Sequence, residues 1–287
     1  MSWEKVSDSR WERPVDGLEG YFVVMAGISA SLCSGREHYT LFSKFKLETT
    51  ESDLAPALRH AWAQVRYEQP QIATTVEGMK KVYQVPDAKA LREWLASTFI
   101  ISRASNAEEL YSFVEPIKQA TLYYLPNSLE VVLRGHHHTL DGTGILLFWD
   151  TYLKGLRSPA NDIKFGDEPA RLAPTMEKLL GYPEQPTQEL HDKATALFIS
   201  WAGSIPGIGP VSQLGTAPSG RCHNTELVFP EDITNALVMA CKGRGVSVSA
   251  AVHAAYIKAI AKHADPNTRR PEGYCRCGRH SLTQPSL

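Results

Sequence analysis

The stretch Gly135-His136-His137-His138-Thr139-Leu140-Asp141-Gly142-Thr143-Gly144 decides how the chain is read. Before it, Leu129 to Gly135 is a β-branched, strand-like run. After it, Ile145, Leu146, Phe148, Trp149, Tyr152 and Leu153 recur at helical spacing. The ten residues therefore join a strand to a helix. Read as HHxxxDG, they fix four positions in a window of seven, a pattern that arises by chance about once in a thousand chains of this length.

The chemistry follows from the geometry of the junction. A strand has a period of two, so Leu129, Val131, Leu133, Gly135 and His137 share one face, and Arg134, His136 and His138 the other. If the strand persists that far, His137 points inward with the core-facing set. An imidazole at a strand end beside a cavity has an ordinary pKa near neutrality and one free nitrogen, as proton abstraction from a hydroxyl requires. The plain alternative is a hydrogen-bonded core histidine. His136 and His138 read as supporting or surface residues. Asp141 stands just before the helix, where its carboxylate either caps free N–H groups or pairs with a buried Arg. Gly142 and Gly144 allow a turn and a close approach, and the first N–H groups of the helix are available to a developing oxyanion.

Rival chemistries have less support. Consecutive His136 and His137 face opposite ways on a strand, and no HExxH-like spacing accompanies them, so no metal is expected. Cys275-x-Cys277-x-x-His280 lies in a stretch without periodicity and reads as chance. There is no GxSxG for a serine hydrolase, and no GxGxxG or GxxxxGK[ST] for a nucleotide.

Outward from the junction, Leu54, Leu58, Ala61, Trp62 and Val65 predict a helix capped by Asp53. Lys81 to Val85 predicts a short strand, and Leu91, Trp94, Leu95 and Phe99 a helix capped by Asp87. Thr121 to Leu125 and Leu129 to Gly135 form a hairpin through Pro126, Asn127 and Ser128. The helix from Gly142 is apolar round most of its circumference and is expected to be buried on more than one side. Beyond a helix at Glu189 to Trp201 comes a Gly/Pro-rich linker, Gly203 to Gly220. A strand (Thr225 to Phe229), a helix opened by Glu231 and Asp232, and a small-residue helix (Ser249 to His263) follow. The last is apolar nearly all round and expects cover that one strand and one helix do not supply. The organisation is thus α/β, with one complete lobe over 1–186, a helix and linker over 187–220 and a partial second lobe over 221–287. The incomplete lobe leaves room for self-association.

Composition sets the outer limits. The 287 residues are 43% hydrophobic and 21% charged, which is the balance of a globular protein. Thirty Lys+Arg against 31 Asp+Glu gives no general attraction to nucleic acid or anionic lipid. No apolar run approaches the length of a membrane span, and the charged start lacks the form of a secretory leader. Five cysteines suit reduced thiols rather than a disulfide framework. The expectation is a cytoplasmic protein.

HHxxxDG resembles the motif of the condensation-domain and coenzyme A-dependent acyltransferase superfamily, which includes chloramphenicol acetyltransferase. Ala61-Trp62-Ala63-Gln64-Val65-Arg66-Tyr67-Glu68-Gln69-Pro70-Gln71-Ile72-Ala73 and Gly245-Val246-Ser247-Val248-Ser249-Ala250-Ala251-Val252-His253-Ala254-Ala255 resemble the fungal trichothecene 15-O-acetyltransferase branch. The resemblance implies a chloramphenicol-acetyltransferase-like α/β fold with His137 as general base, Asp141 as a structural carboxylate, and His136 and Gly142 in support. It implies acetyl-CoA as co-substrate with no permanently bound cofactor, and a small-molecule alcohol as acceptor, for example a terpenoid of fungal secondary metabolism. Superfamily members are usually longer, so the chain reads as C-terminally truncated. The alternatives are a catalytically silent relative and a condensation enzyme working on carrier-bound substrates.

Overall fold

A computed structural model of the chain describes residues 2–32, 39–51, 53–112, 115–183, 185–203, 209 and 225–266. They fall into two compact units, one over 2–186 and one over 187–203, 209 and 225–266. Most of the predicted linker and the Cys275–His280 cluster lie outside the described residues.

The first unit runs β1 (Glu4–Lys5), β2 (Arg10–Pro14), α1 (Gly17–Leu32), β3 (Thr40–Lys46), α2 (Ala55–Glu68), β4 (Thr75–Glu77) and β5 (Lys80–Gln84). It continues with α3 (Ala88–Thr98), β6 (Phe99–Ile101), α4 (Ala107–Ser112), β7 (Thr121–Leu125), β8 (Glu130–His136), α5 (Gly142–Arg157) and α6 (Met176–Leu180). Two four-stranded sheets result, ordered β1-β2-β5-β4 and β3-β8-β7-β6. The second is antiparallel except for the parallel β6–β7 pair.

Alternation along β7 and β8 supplies both faces of the second sheet. Leu122, Tyr124, Val131 and Leu133 enter the main core with Trp62, Phe148 and Tyr152. Tyr123, Leu125 and Val132 meet Ala107 and Leu110 on the other side. The hairpin forms, but its connection runs from 126 to 129 and β8 begins one residue later than expected. Leu129 takes a left-handed φ of 55° there, while its carbonyl accepts from Leu47 N at 2.8 Å. A residue closing a turn in that conformation does not pair as a strand residue.

The caps sort themselves by chemistry. Asp87 accepts from Ala90 N at 2.7 Å, as its position predicts. Asp53 does not cap α2. The helix starts one residue later, with Leu54 at the cap and Pro56 in the first turn, because Pro fixes a helical φ and needs no partner for an N–H.

Helix α5 corrects a second expectation. Phe148, Tyr152 and Gly155 are buried, and Trp149 donates to Ser43 Oγ at 2.8 Å. Leu146, Leu147 and Leu153, however, are 70%, 59% and 45% exposed, so the described residues cover the helix on one side only. Gly155 faces α2, and a Cβ there would meet Gln64 at 3.4 Å and the Ala61 Cβ at 3.7 Å, ordinary contact distances.

The second unit holds α7 (Gln188–Ala202), α8 (Glu231–Gly243) and α9 (Val248–Lys262). Thr187 caps α7 and Ser247 caps α9 through their hydroxyl oxygens. The predicted strand at 225–229 is absent: the segment has no ladder partner among the described residues, and Leu227 and Val228 are exposed. Apolar β-branched composition makes a strand only where another strand satisfies its backbone. Cys241 of α8 is the one buried residue among the described residues of this unit. No helix among the described residues is long and apolar enough to cross a membrane.

Candidate active site

Strand β8 ends at His136, which sits opposite Thr40 of β3. The chain then turns: Thr139 N and Leu140 N both donate to the His136 carbonyl, at 2.9 and 3.2 Å. His137 is thus a turn residue, and the strand alternation predicted to aim it inward stops one residue short. Its orientation comes from elsewhere. His137 N donates to the Tyr39 carbonyl at 2.8 Å, and its ring stacks on Phe22 of α1 with centroids 4.0 Å apart and planes at 11°. The Nδ1 atom is buried without a hydrogen-bond partner among the described residues. Tyr39 holds a φ of 56°, an uncommon conformation for a non-glycine residue and one that persists where surrounding structure enforces it. Here it turns a carbonyl toward the histidine loop.

His136 and His138 do share a face, as the alternation predicts, and their rings stack at 4.9 Å. Both are half-buried. Burial, and then the neighbouring His136 and Lys81, push the His138 imidazole down to about 3, so it is neutral across the physiological range.

Asp141 settles between its two predicted roles. Its Oδ1 accepts from Gly144 N at 2.6 Å as the N-cap of α5, and the side chain is exposed. The cap occupies one of the helix-start donors that had been assigned to an oxyanion. Gly142 is not the tight position. A Cβ there would meet nothing within 4 Å, whereas one on Gly144 would meet Asp141 Oδ1 at 3.2 Å and one on Gly135 would meet Leu140 Cδ1 at 3.0 Å. The close approach lies at the glycines outside the DG pair.

His137 and Asp141 line one cavity of about 230 Å³, together with Trp3, Phe22, Gln71 and Lys81. Sequence reading missed its charged wall. Arg13 donates through both terminal nitrogens to Glu19, at 2.6 and 2.7 Å. Lys81 lies 2.7 Å from the same carboxylate and donates to the His138 carbonyl at 2.8 Å. The Arg13 and Lys81 side chains are 3% and 4% exposed. Burial would raise the Glu19 pKa, but the two cations outweigh it and hold the carboxyl at about 2. Asp16 and Glu19 also close a reciprocal box at the start of α1: Glu19 N donates to Asp16 Oδ1 and Asp16 N to Glu19 Oε2, at 2.7 and 3.0 Å. The Asp16-x-x-Glu19 spacing was the available signal, since that pattern marks a helix start. Nothing local links it to Lys81, which arrives from β5.

A larger groove of about 1050 Å³ lies between α2, α3 and the 161–165 segment, lined by Asp53, Arg59, Leu95, Phe99 and Phe165 among others. It shares no residue with the histidine cavity and carries no motif.

No family model matches the chain. The acetyltransferase pigO of Monascus ruber is 27% identical over 268 residues, covering 88% of this chain and 57% of pigO. The O-acetyltransferase pigM of the same organism is 27% identical over 269 residues, covering 91% and 52%. A protein named loline biosynthesis cluster 1 transcription factor lolU1, from Epichloe uncinata, is 29% identical over 89% of this chain and 57% of its own length. The chain thus spans little more than half the length of these relatives. Among solved structures, the TRI3 trichothecene 15-O-acetyltransferase of Fusarium sporotrichioides superposes with a TM-score of 0.56 at 17% identity, over 73% of this chain and 50% of that one. The EpoB NRPS cyclization-docking bidomain of Sorangium cellulosum gives 0.58 at 13%, over 88% and 51%. At those identities the structures speak to fold, and pigO and pigM speak to kinship in sequence. The chain is thus similar in sequence to two proteins named acetyltransferases, and it shares its fold with parts of the trichothecene acetyltransferase and of the cyclization-docking bidomain.

Proposed function

We propose that the chain carries the base-bearing half of an O-acyltransferase that moves an acetyl group from acetyl-CoA to a hydroxyl of a small molecule. The observation that carries the reading is the placement of His137. It is stacked on Phe22, anchored through its backbone, and borders a cavity of about 230 Å³. In this reading Nε2 accepts the hydroxyl proton as the oxygen attacks the thioester carbonyl. The tetrahedral oxyanion collapses, the C–S bond breaks, and the CoA thiolate takes the proton back from the imidazolium. That cycle needs the Nδ1–H tautomer and no covalent enzyme intermediate. Asp141 serves as the N-cap that fixes the start of α5, and His136 supports the turn. The names of pigO and pigM agree with acetyl transfer, and the trichothecene acetyltransferase makes a terpenoid alcohol a sensible first acceptor to assay.

The test is acetyl-CoA-dependent thiol release in the presence of a panel of terpenoid alcohols, comparing the full chain with His137→Ala. Loss of a general base costs about 10²- to 10⁴-fold in turnover. Equal rates in the two proteins refute the assignment. A chain with no acceptor-dependent release at all is the catalytically silent relative.

A further inference from the structure

Three residues of the histidine cavity carry a buried polar atom with no hydrogen-bond partner among the described residues: Gln71 Oε1, Arg13 Nε and His137 Nδ1. Such atoms are scarce in folded proteins, because each forgoes a bond that water would have given it. Their gathering around one cavity singles it out. His137 has a role in the proposed chemistry, and the Arg13 guanidinium is already engaged by Glu19 through both terminal nitrogens. Gln71 has no such duty.

Its backbone is firmly set. Gln71 lies in the 3-10 turn Pro70–Ala73, between Pro70 and the buried Ile72. Thr74 donates to the Gln71 carbonyl through both Oγ1 and N, at 2.8 and 3.2 Å, and the Ile72 carbonyl accepts from Ala120 N at 3.2 Å. A long polar side chain is therefore presented from a rigid turn to the cavity that His137 borders. A carboxamide oxygen only accepts, so its complement carries an O–H or N–H.

We propose that Gln71 is the specificity residue of this cavity, its side-chain oxygen taking a hydrogen bond from a second O–H or N–H on the acceptor, apart from the hydroxyl that reacts. The acceptors it favours are diols and hydroxy amides over simple alcohols. The inference rests on the reading of His137 as base for the identity of the reacting hydroxyl, but its test reads binding alone. The amide N–H groups of coenzyme A offer the same chemistry from the donor side, and the test separates the two sources.

A cavity of about 230 Å³ has room for a six-carbon ring, since apolar cavities of about 150 Å³ take up benzene. The probes are trans-cyclohexane-1,2-diol, cyclohexanol and coenzyme A, titrated by ligand-observed NMR against the full chain and its Gln71→Leu variant. Removal of one hydrogen bond in a buried site weakens binding about 5- to 10-fold. That loss is expected for the diol, with cyclohexanol and coenzyme A unchanged. The unliganded variant should melt at or above the wild-type temperature, because leucine of similar size removes a buried acceptor that lacked a partner. Four results overturn the proposal: no diol binding to the wild type, equal loss for both alcohols, loss for coenzyme A in place of the diol, or a melting temperature several degrees lower. None of these bears on His137, whose assignment stands or falls on turnover.

Discussion

Replacing Glu19 by Gln tests whether the buried charges beside the histidine loop support the site or merely accompany it. Glu19 is held by Arg13 and Lys81, and its carboxyl titrates near 2 against an ordinary 4.5. The carboxyl group is 13% exposed, so little of this is lost to solvent screening. A shift of that size corresponds to about 3 kcal/mol of folding stability at pH 7. The folded value is depressed, so the contribution is complete above the unfolded pKa and fades as pH falls through the folded one. At pH 3 roughly 1.4 kcal/mol is left, so about 2 kcal/mol disappears between pH 7 and pH 3. Glu19→Gln should therefore cost about 3 kcal/mol at pH 7, in the range for stranding buried cations, and only about half as much at pH 3. The assay is denaturant unfolding of both proteins at the two pH values, followed by the fluorescence of Trp62 and Trp94, both buried in the first unit. Other carboxylates titrate alike in the two proteins and cancel in the difference. A gap that stays constant between pH 7 and pH 3 refutes the argument.

Asp141→Ala should lower stability by about 1 kcal/mol through loss of the α5 cap, while Asp141→Asn, which keeps the acceptor, should stay within about 0.5 kcal/mol of wild type. Denaturant titration of both variants checks this, and an equal loss in the two would point to charge rather than capping. His138 has its pKa depressed to about 3, so the unfolded chain binds its proton first, and the wild type should lose stability as pH falls below about 6.5. His138→Gln should flatten that portion of the stability–pH curve; an unchanged slope would place the His138 ring in water.

The β7–β8 hairpin and helices α2, α3 and α5 were legible because each rests on a local pattern, whereas β3 has no predicted counterpart and Phe99, expected in a helix, opens β6. Alternation in β7 and β8 matched two-sided burial, and Asp87 and Asp141 stood where caps belong. What escaped depended on contacts distant in sequence. The 225–229 segment has strand composition, yet composition cannot supply a partner. The one-sided cover of α5 follows from where α2 lies. Within the site, HHxxxDG located the turn and the cavity, but the strand period was carried one residue too far at His137. The residues that set that turn, Phe22, Tyr39 and Lys81, come from α1, the residue before β3, and β5. Their convergence is a property of the fold, written in no single stretch of the chain. Of the two glycines expected to allow a close approach, Gly144 does so and Gly142 does not, while Gly135 was overlooked, since only the fold shows which glycine faces a neighbour.

The histidine loop is gripped by its main chain. Tyr39 holds it through the His137 N–H, and Lys81 through the His138 carbonyl. Every amino acid other than proline offers those same two atoms. These two anchors therefore do not depend on which side chains the loop carries, although the Thr139 hydroxyl is itself tied to His138 Nδ1 at 3.0 Å. A grip of this kind tolerates exchange of side chains around the cavity without loss of the turn that holds His137 beside it.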